Sequence, residues 1–381
     1  MVTVFIPSLS DPPTDHLELK IPLQKIFSFC LSPHKWLSYV GWAIYNVQGY
    51  LSTDAEGTNR LIDGVVLKDE DILYFQAPGF VHEGVVQIAL VKRRTASQTS
   101  VNDTRVAQYR TNISNRDGMC IFTGFTGQAC HIIPFARGSE NMSILVHQRS
   151  ITPAINDIND KRNGFLCQSD LHRLFDQRQV AVLVTPNDIL GREDIPQAAS
   201  PGLLQDLRSS PSRLSYTLQH INITVPQDAI MVNALGAVNN RDAKFLDCSR
   251  SRLPHAALLH YLYGASVVLA FGARDSVKTW QATHEWEQPP TQTPATRADY
   301  KPGDYHDRQL TEEKRQNAYL ASSTGVQNSG RLTEEEVMDF MFEIASRQVA
   351  SREQAAWEQR KLEIDDWVHG VNSTDADATQ N

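Results

Sequence analysis

Three things are scarce in this chain: paired cysteines, long apolar runs and positive charge. Five cysteines occur in 381 residues, and no two form a C-x-x-C pair. Structural zinc knuckles take their thiolates in such pairs, so that kind of site is excluded. After Cys120 the chain reads I-F-T-G, where a second ligand would stand. The scattered set of Cys30, Cys120, Cys130, Cys167 and Cys248 fits a reducing compartment, and each thiol reads as a small buried apolar group. Cys120, Cys130 and Cys167 flank elements that must pack together, so these three can approach one another, but the buried apolar reading is preferred for them. No apolar run reaches membrane-spanning length, and MVTVFIPSLSDPP lacks the basic start and cleavage site of a secretory leader. The expectation is an intracellular protein that makes no membrane contact, with nucleus and cytosol undecided. Lys and Arg number 36 against 44 Asp and Glu, a net charge of -8, which excludes a protein that coats nucleic acid through bulk electrostatics.

Apolar residues make up 41% of the chain, enough for a real core, and its length predicts two or three units. Residues 1–95 read as a strand-rich α+β unit with a structural or targeting role. VTVFI and LELKI alternate as strands do, residues 23–40 carry apolar positions at helical spacing, and strands are predicted again at residues 42–45, 72–75 and 85–91. Beyond residue 176, QVAVLVTPND predicts a strand ending at a turn, and residues 215–225 alternate as another. Residues 253–271 predict an apolar helix, with Pro254 near its start and Gly272 after its end. His255 and His260 on that helix read as packed or surface residues. From residue 288 Pro, Thr and charge dominate, which predicts a linker over residues 286–330. Capping boxes at Thr333 with Glu336 and at Ser351 with Gln354 open amphipathic helices within residues 331–370. Their apolar stripe suits a protein partner or self-association through residues 333–357, and residues 371–381 are expected to be disordered.

The densest chemistry lies in residues 116–176, which read RDGMCIFTGFTGQACHIIPFARG, a polar gap, then KRNGFLCQSDLHRLFD. Phosphodiester cleavage needs a base to deprotonate water beside phosphorus and a cation to hold charge on the leaving oxygen. His131, Asn163 and His172 stand in the order such an enzyme needs. The run CHIIPF closes on Pro134, which places His131 at the end of a strand. Asn163 followed by Gly164 is a turn signal leading into a strand over residues 165–167. Ser169 or Asp170 is the predicted N-cap of a short helix, with His172 in its first turn and Leu171, Leu174 and Phe175 on its buried side. A lone histidine beside an apolar run is ordinarily structural, but here three blocks occur in order.

Those blocks, with the spacing N-x8-H between Asn163 and His172, resemble the HNH endonuclease family and its ββα-metal fold, most closely the type found in fungal proteins. LSYVGWAIYNVQGYL upstream and LPHAALLHYLYGASVVLAFG downstream add weaker likenesses. The resemblance implies metal-dependent hydrolysis of DNA, with His131 as general base and Asn163 as the residue that orients the base-bearing loop. His172 would be a metal ligand, its ion stabilising the leaving group. Mg²⁺ or Mn²⁺ is the implied ion, with Zn²⁺ as the alternative. Two positions depart from the family pattern. Many members place Asp directly before the first His, where this chain has Cys130, and an upstream Glu is here Gln128, whose neutral amide is a poorer ligand for a hard cation. Asp170, Asp176, Cys130 and the loop at residues 156–160 are the candidates to complete the shell. The other reading is a catalytically inactive HNH-derived module that binds nucleic acid or protein.

Local charge is more favourable to nucleic acid than the total. Lys92, Arg93 and Arg94 precede the block, and Arg105, Arg110, Arg116 and Arg173 are the expected DNA contacts, although SQTSVNDT between them also reads as solvated linker. The predicted architecture is α+β. It comprises the N-terminal unit, an HNH nuclease domain at residues 105–285 with its core at 116–180, and a helical C-terminal tail.

Overall fold

Alternating apolar residues at the N-terminus build a sheet, as predicted. In the computed structural model, which describes residues 1–7, 16–62, 65–78, 84–91, 104–198, 213–249 and 251–282, Val2, Val4 and Ile6 are buried along β1 (Val2–Pro7), as are Leu17, Leu19 and Ile21 along β2 (His16–Ile21). These strands pair antiparallel, with Val2 opposite Ile21. β3 (Tyr50–Ser52) and β4 (Ile72–Gln76) complete a sheet of order β2-β1-β4-β3, in which β4 runs parallel to β1.

The apolar spacing over residues 23–40 produces two helices, α1 (Leu23–Phe29) and α2 (Pro33–Tyr45). Pro33 disfavours helical backbone at the residue before it, which breaks the run, and then opens the second helix from its first turn. Residues 42–45 are the last turn of α2, not the expected strand. Trp36, Tyr39, Val40, Ala43 and Ile44 stay buried through that point, and Asn46 ends the helix in the left-handed region at φ 61°. A second expected strand, residues 85–91, contains instead the short helix α3 (Ile88–Val91). A brief apolar run does not distinguish a buried strand from a buried helical turn.

Five elements then surround the predicted chemistry: α4 (Thr104–Asp117), β5 (Gln128–His131), α5 (Gly138–Gln148), β6 (Gly164–Cys167) and α6 (Ser169–Asp176). β5 and β6 form an antiparallel ribbon with His131 opposite Gly164 and Gln128 opposite Cys167. Side chains alternate across it. Ala129, His131 and Leu166 meet α4, whereas Cys130 and Phe165 lie on the α6 side. The cap of α6 is Gln168, one residue before Ser169 and two before Asp170, the predicted alternatives, and its side-chain oxygen accepts from the N–H groups of Asp170 (2.8 Å) and Leu171 (3.1 Å). Leu171, Leu174 and Phe175 are buried as expected.

β7 (Ala181–Thr185), β8 (Ser215–Gln219) and β9 (Arg241–Asp242) form a third, antiparallel sheet. β8 stops at Gln219, short of the expected residue 225, where its partner β7 begins at Ala181. α7 (Pro226–Ala234), α8 (Ala256–Phe271) and α9 (Arg274–Ala282) follow. α8 is the predicted apolar helix and packs on β7 and α2. At the α2 crossing, a Cβ on Gly264 would lie 2.9 Å from the Ala43 carbonyl, so only glycine allows this approach.

Among the described residues the main hydrophobic core runs from Val2 to Trp280, so the N-terminal elements share it with those that follow. Polar ties cross the expected boundary. The Trp36 indole donates to the Tyr263 hydroxyl (2.8 Å), which donates to Gln219 Oε1 (2.5 Å). Arg149, after α5, donates to the last carbonyls of α2, Ala43 (3.0 Å) and Ile44 (2.9 Å). Apolar faces on both sides of residue 95 are incomplete without each other, so they close into one core. The chain divides into Met1–Thr291 and Gln292–Asn381. The expected linker, amphipathic helices and tail lie outside the described residues, as do Lys92, Arg93 and Arg94. Among the described residues no helix is long and apolar enough to cross a membrane.

Candidate functional site

The ribbon and α6 bring three of the candidate residues together. Cys130 projects from β5, while His172 and Asp176 stand one turn apart on α6. One potential ligand atom from each lies within 4.8 Å of the others. His172 Nε2 is 3.6 Å from Asp176 Oδ1, and its other nitrogen, Nδ1, is 2.8 Å from the side-chain amide of Gln128. Cys130 is fully buried, as expected, and burial pushes its thiol well above the usual range, with Asp176 adding to that rise and Arg178 opposing it. Asp170 is not in this group. Its carboxylate accepts from Gln168 Nε2 (3.0 Å) at the start of α6, so it belongs to the helix cap.

His131 sits at the end of β5, on the other face of the ribbon. Its ring stacks on Tyr109 of α4, with centroids 4.1 Å apart and planes 14° from parallel, and Phe135 lies 5.7 Å away. Nε2 is 3.2 Å from Asn159 Oδ1, which ties the imidazole to the loop at residues 156–160. Burial lowers the His131 pKa to about 4. The Asn159 hydrogen bond and Asp157 oppose the fall, whereas charge on His172 and Arg110 adds to it. The ring is therefore neutral at neutral pH.

Asn163 is fully buried and uses its whole amide on backbone. Oδ1 accepts from the Ile133 N–H (2.9 Å), and Nδ2 donates to the carbonyls of Ile133 (3.1 Å) and Ile158 (2.9 Å). It ties the segment after His131 to the loop that carries Asn159. Its buried amide nitrogen and oxygen both face backbone partners.

The four arginines expected at DNA have different environments. Arg116 is 1% exposed and does not reach solvent. It forms a two-pronged pair with Asp117 (2.5 and 2.8 Å) and donates to the carbonyls of Lys161, Arg252 and Gly164, each at 2.8 Å. That is a structural brace, and the expected nucleic-acid contact is corrected accordingly. Arg173 pairs with Asp228 at 2.7 Å. Arg110 is exposed on α4 near His131, and Arg105 lies on the same helix with its side chain outside the described set.

Cys30, Cys120, Cys130 and Cys167 are buried thiols outside any disulfide, as expected, whereas Cys248 is only partly buried, and the Cys120 and Cys167 thiols hydrogen-bond. Sequence reasoning missed Tyr109, treated Gln128 only as a weak ligand, and met Asn159 only within a loop of candidates. Tyr109 has no local motif to mark it; its position opposite Gly164 is a tertiary fact.

Comparison with curated proteins and with solved structures found no match. Residues 120–183 match the family model described as HNH endonuclease, so the chain carries an HNH-family domain over that segment.

Proposed function

We propose that this domain is a divalent-metal-dependent nuclease that hydrolyses DNA phosphodiester bonds. The observation that carries the reading is the convergence of Cys130, His172 and Asp176 on one face of β5, with the neutral imidazole of the next residue, His131, on the other.

The three side chains fit a metal. One sulfur, one nitrogen and one carboxylate oxygen make a compact, half-buried set with few protein donors, leaving positions for solvent or substrate. A thiolate with an imidazole suits Zn²⁺ better than the harder Mg²⁺ or Mn²⁺, so this donor set favours Zn²⁺, the alternative in the sequence expectation. When bound, such an ion supplies Lewis-acid stabilisation of charge on phosphate oxygens. Gln128 sets the tautomer of His172: its amide nitrogen donates to Nδ1, which puts the ring proton on Nε2 toward Asp176, and a coordinating Nε2 would require the amide turned end for end so that its oxygen accepts from Nδ1–H.

His131 is the base. An amide oxygen only accepts, so Nε2 carries the ring proton toward Asn159 and Nδ1 holds the lone pair that takes a proton from water. A phosphodiester beside the ring brings negative charge, which raises the low imidazole pKa and strengthens the base once substrate is in place. Asn163 holds the two loops that determine the ring's position.

The experiment is plasmid nicking by the full chain with Mg²⁺, Mn²⁺ or Zn²⁺, with His131→Ala and chelator as controls. The expected result is cleavage that both controls abolish. Metal-dependent binding of DNA without cleavage in any of the three ions would instead identify a silent module.

A further inference from the structure

We propose that Tyr109 is a positioning residue for His131, which makes α4, outside the segment that matches the family, part of the working site. The inference rests on the reading of His131 as the base. Three observations carry it. The phenol ring lies face to face with the imidazole, 4.1 Å between centroids and 14° from parallel. The Tyr109 hydroxyl lies within reach of the carbonyls of Cys130 (3.2 Å) and Asn163 (3.3 Å), one on each strand side at the end of the ribbon where His131 emerges. Opposite His131 the chain has Gly164, where a Cβ would collide with both the Tyr109 hydroxyl and the Cys130 carbonyl. The glycine keeps the ribbon open for the phenol, and the phenol fills the space beside the imidazole.

Tyr109 is 1% exposed and packs with Ile113, Leu166 and Ala129 in a small cluster of its own between α4 and the ribbon. An imidazole at a strand end has two free torsions. The stack limits the ring plane, and the Asn159 hydrogen bond then limits its rotation within that plane. Holding a catalytic group within a fraction of an ångström matters because a displacement of ~1 Å costs roughly 10²-fold in rate. The hydroxyl and the ring have separable roles: one secures the backbone, the other the imidazole.

The test uses the full chain with histidine labelled at ¹³Cε1, the His131 signal being assigned by its loss in His131→Ala. In the wild type, an upfield Hε1 shift and a nuclear Overhauser contact to the Tyr109 ring are expected. Tyr109→Phe should keep both, whereas Tyr109→Leu should move the signal downfield while the melting transition remains cooperative. In cleavage, Tyr109→Leu should lower kcat by roughly 10²-fold with KM and metal affinity unchanged, and Tyr109→Phe should recover most of it. Absence of the Tyr109 contact in the wild type overturns the proposal without any variant. So does a folded Tyr109→Leu protein with wild-type kcat. If the wild type does not cleave at all, the base assignment falls, and the spectra alone decide whether Tyr109 holds the ring.

Discussion

The amide of Asn163 holds both backbone polar groups of Ile133, accepting from its N–H at 2.9 Å and donating to its carbonyl at 3.1 Å. Both hydrogen bonds are buried, and Nδ2 makes a third to Ile158. Asn163→Ala should cost about 3 kcal/mol, since removing the amide leaves buried backbone groups unpaired. Asn163→Asp should cost more, because a carboxylate would face two carbonyl oxygens without a donor. Thermal melts rank the variants; equal stability of Asp and Asn proteins would contradict the brace.

Arg116 and Asp117 make a second buried anchor. Arg116→Ala should destabilise by about 3 to 5 kcal/mol, as it strands a buried carboxylate. DNA affinity and its salt dependence should be unchanged where the variant is folded, because this guanidinium does not reach solvent. Arg110→Ala should behave in the opposite way, reducing the salt slope with little change in melting temperature. Fluorescence anisotropy across a salt series separates the two.

A metal held at Cys130, His172 and Asp176 would take its character from the sulfur. If its sulfur is a ligand, Co²⁺-loaded protein should show thiolate-to-cobalt charge-transfer absorption that Cys130→Ala lacks. Cys130→Asp should shift affinity from Zn²⁺ toward Mg²⁺ and Mn²⁺, because a hard cation prefers oxygen. Calorimetry measures the shift. A lower melting point with no gain in Mg²⁺ affinity would mean that the position only fills the core.

His131 and His172 should separate cleanly. His131→Ala should reduce cleavage by about 10² to 10⁴-fold while metal affinity stays, whereas His172→Ala should lose both. Because the His131 pKa is lowered to about 4, its neutral form dominates above that value. The kcat/KM profile should therefore show no acid limb at the ordinary histidine value of about 6.5.

Acid should unfold this protein partly through histidine. Burial, with help from Arg149 and His255, lowers the His260 pKa to about 3, whereas the unfolded ring titrates near 6.5. The unfolded state thus binds the proton more readily. Stability is full above about pH 6.5 and declines as pH falls toward the folded value. His131 adds to the same limb. His260→Leu should lower stability at pH 7, since Tyr39 loses a 2.9 Å partner, but flatten the acid slope. Denaturant melts from pH 7 to pH 4 test this.

Much of the local structure was determined by sequence alone. Period-two alternation specified β1 and β2, and an apolar run ending near Pro134 placed His131 at a strand end. The spacing of Leu171, Leu174 and Phe175 set the buried face of α6 and so put His172 and Asp176 together on another. These features depend on neighbours a few residues away, which the chain itself supplies.

Tertiary structure decided the rest. Whether residues 42–45 formed a strand or closed a helix depended on what α2 packed against, and that is α8, more than two hundred residues on. The same core absorbed the N-terminal segment that composition set apart. Arg116 reads as a DNA contact beside other basic residues, yet Asp117 and three distant carbonyls draw it inside. Tyr109 carries no motif, and only the closing of α4 over the β5–β6 ribbon puts its ring on His131. Burial and partner choice are long-range properties, settled by which surfaces the folded chain can satisfy at once.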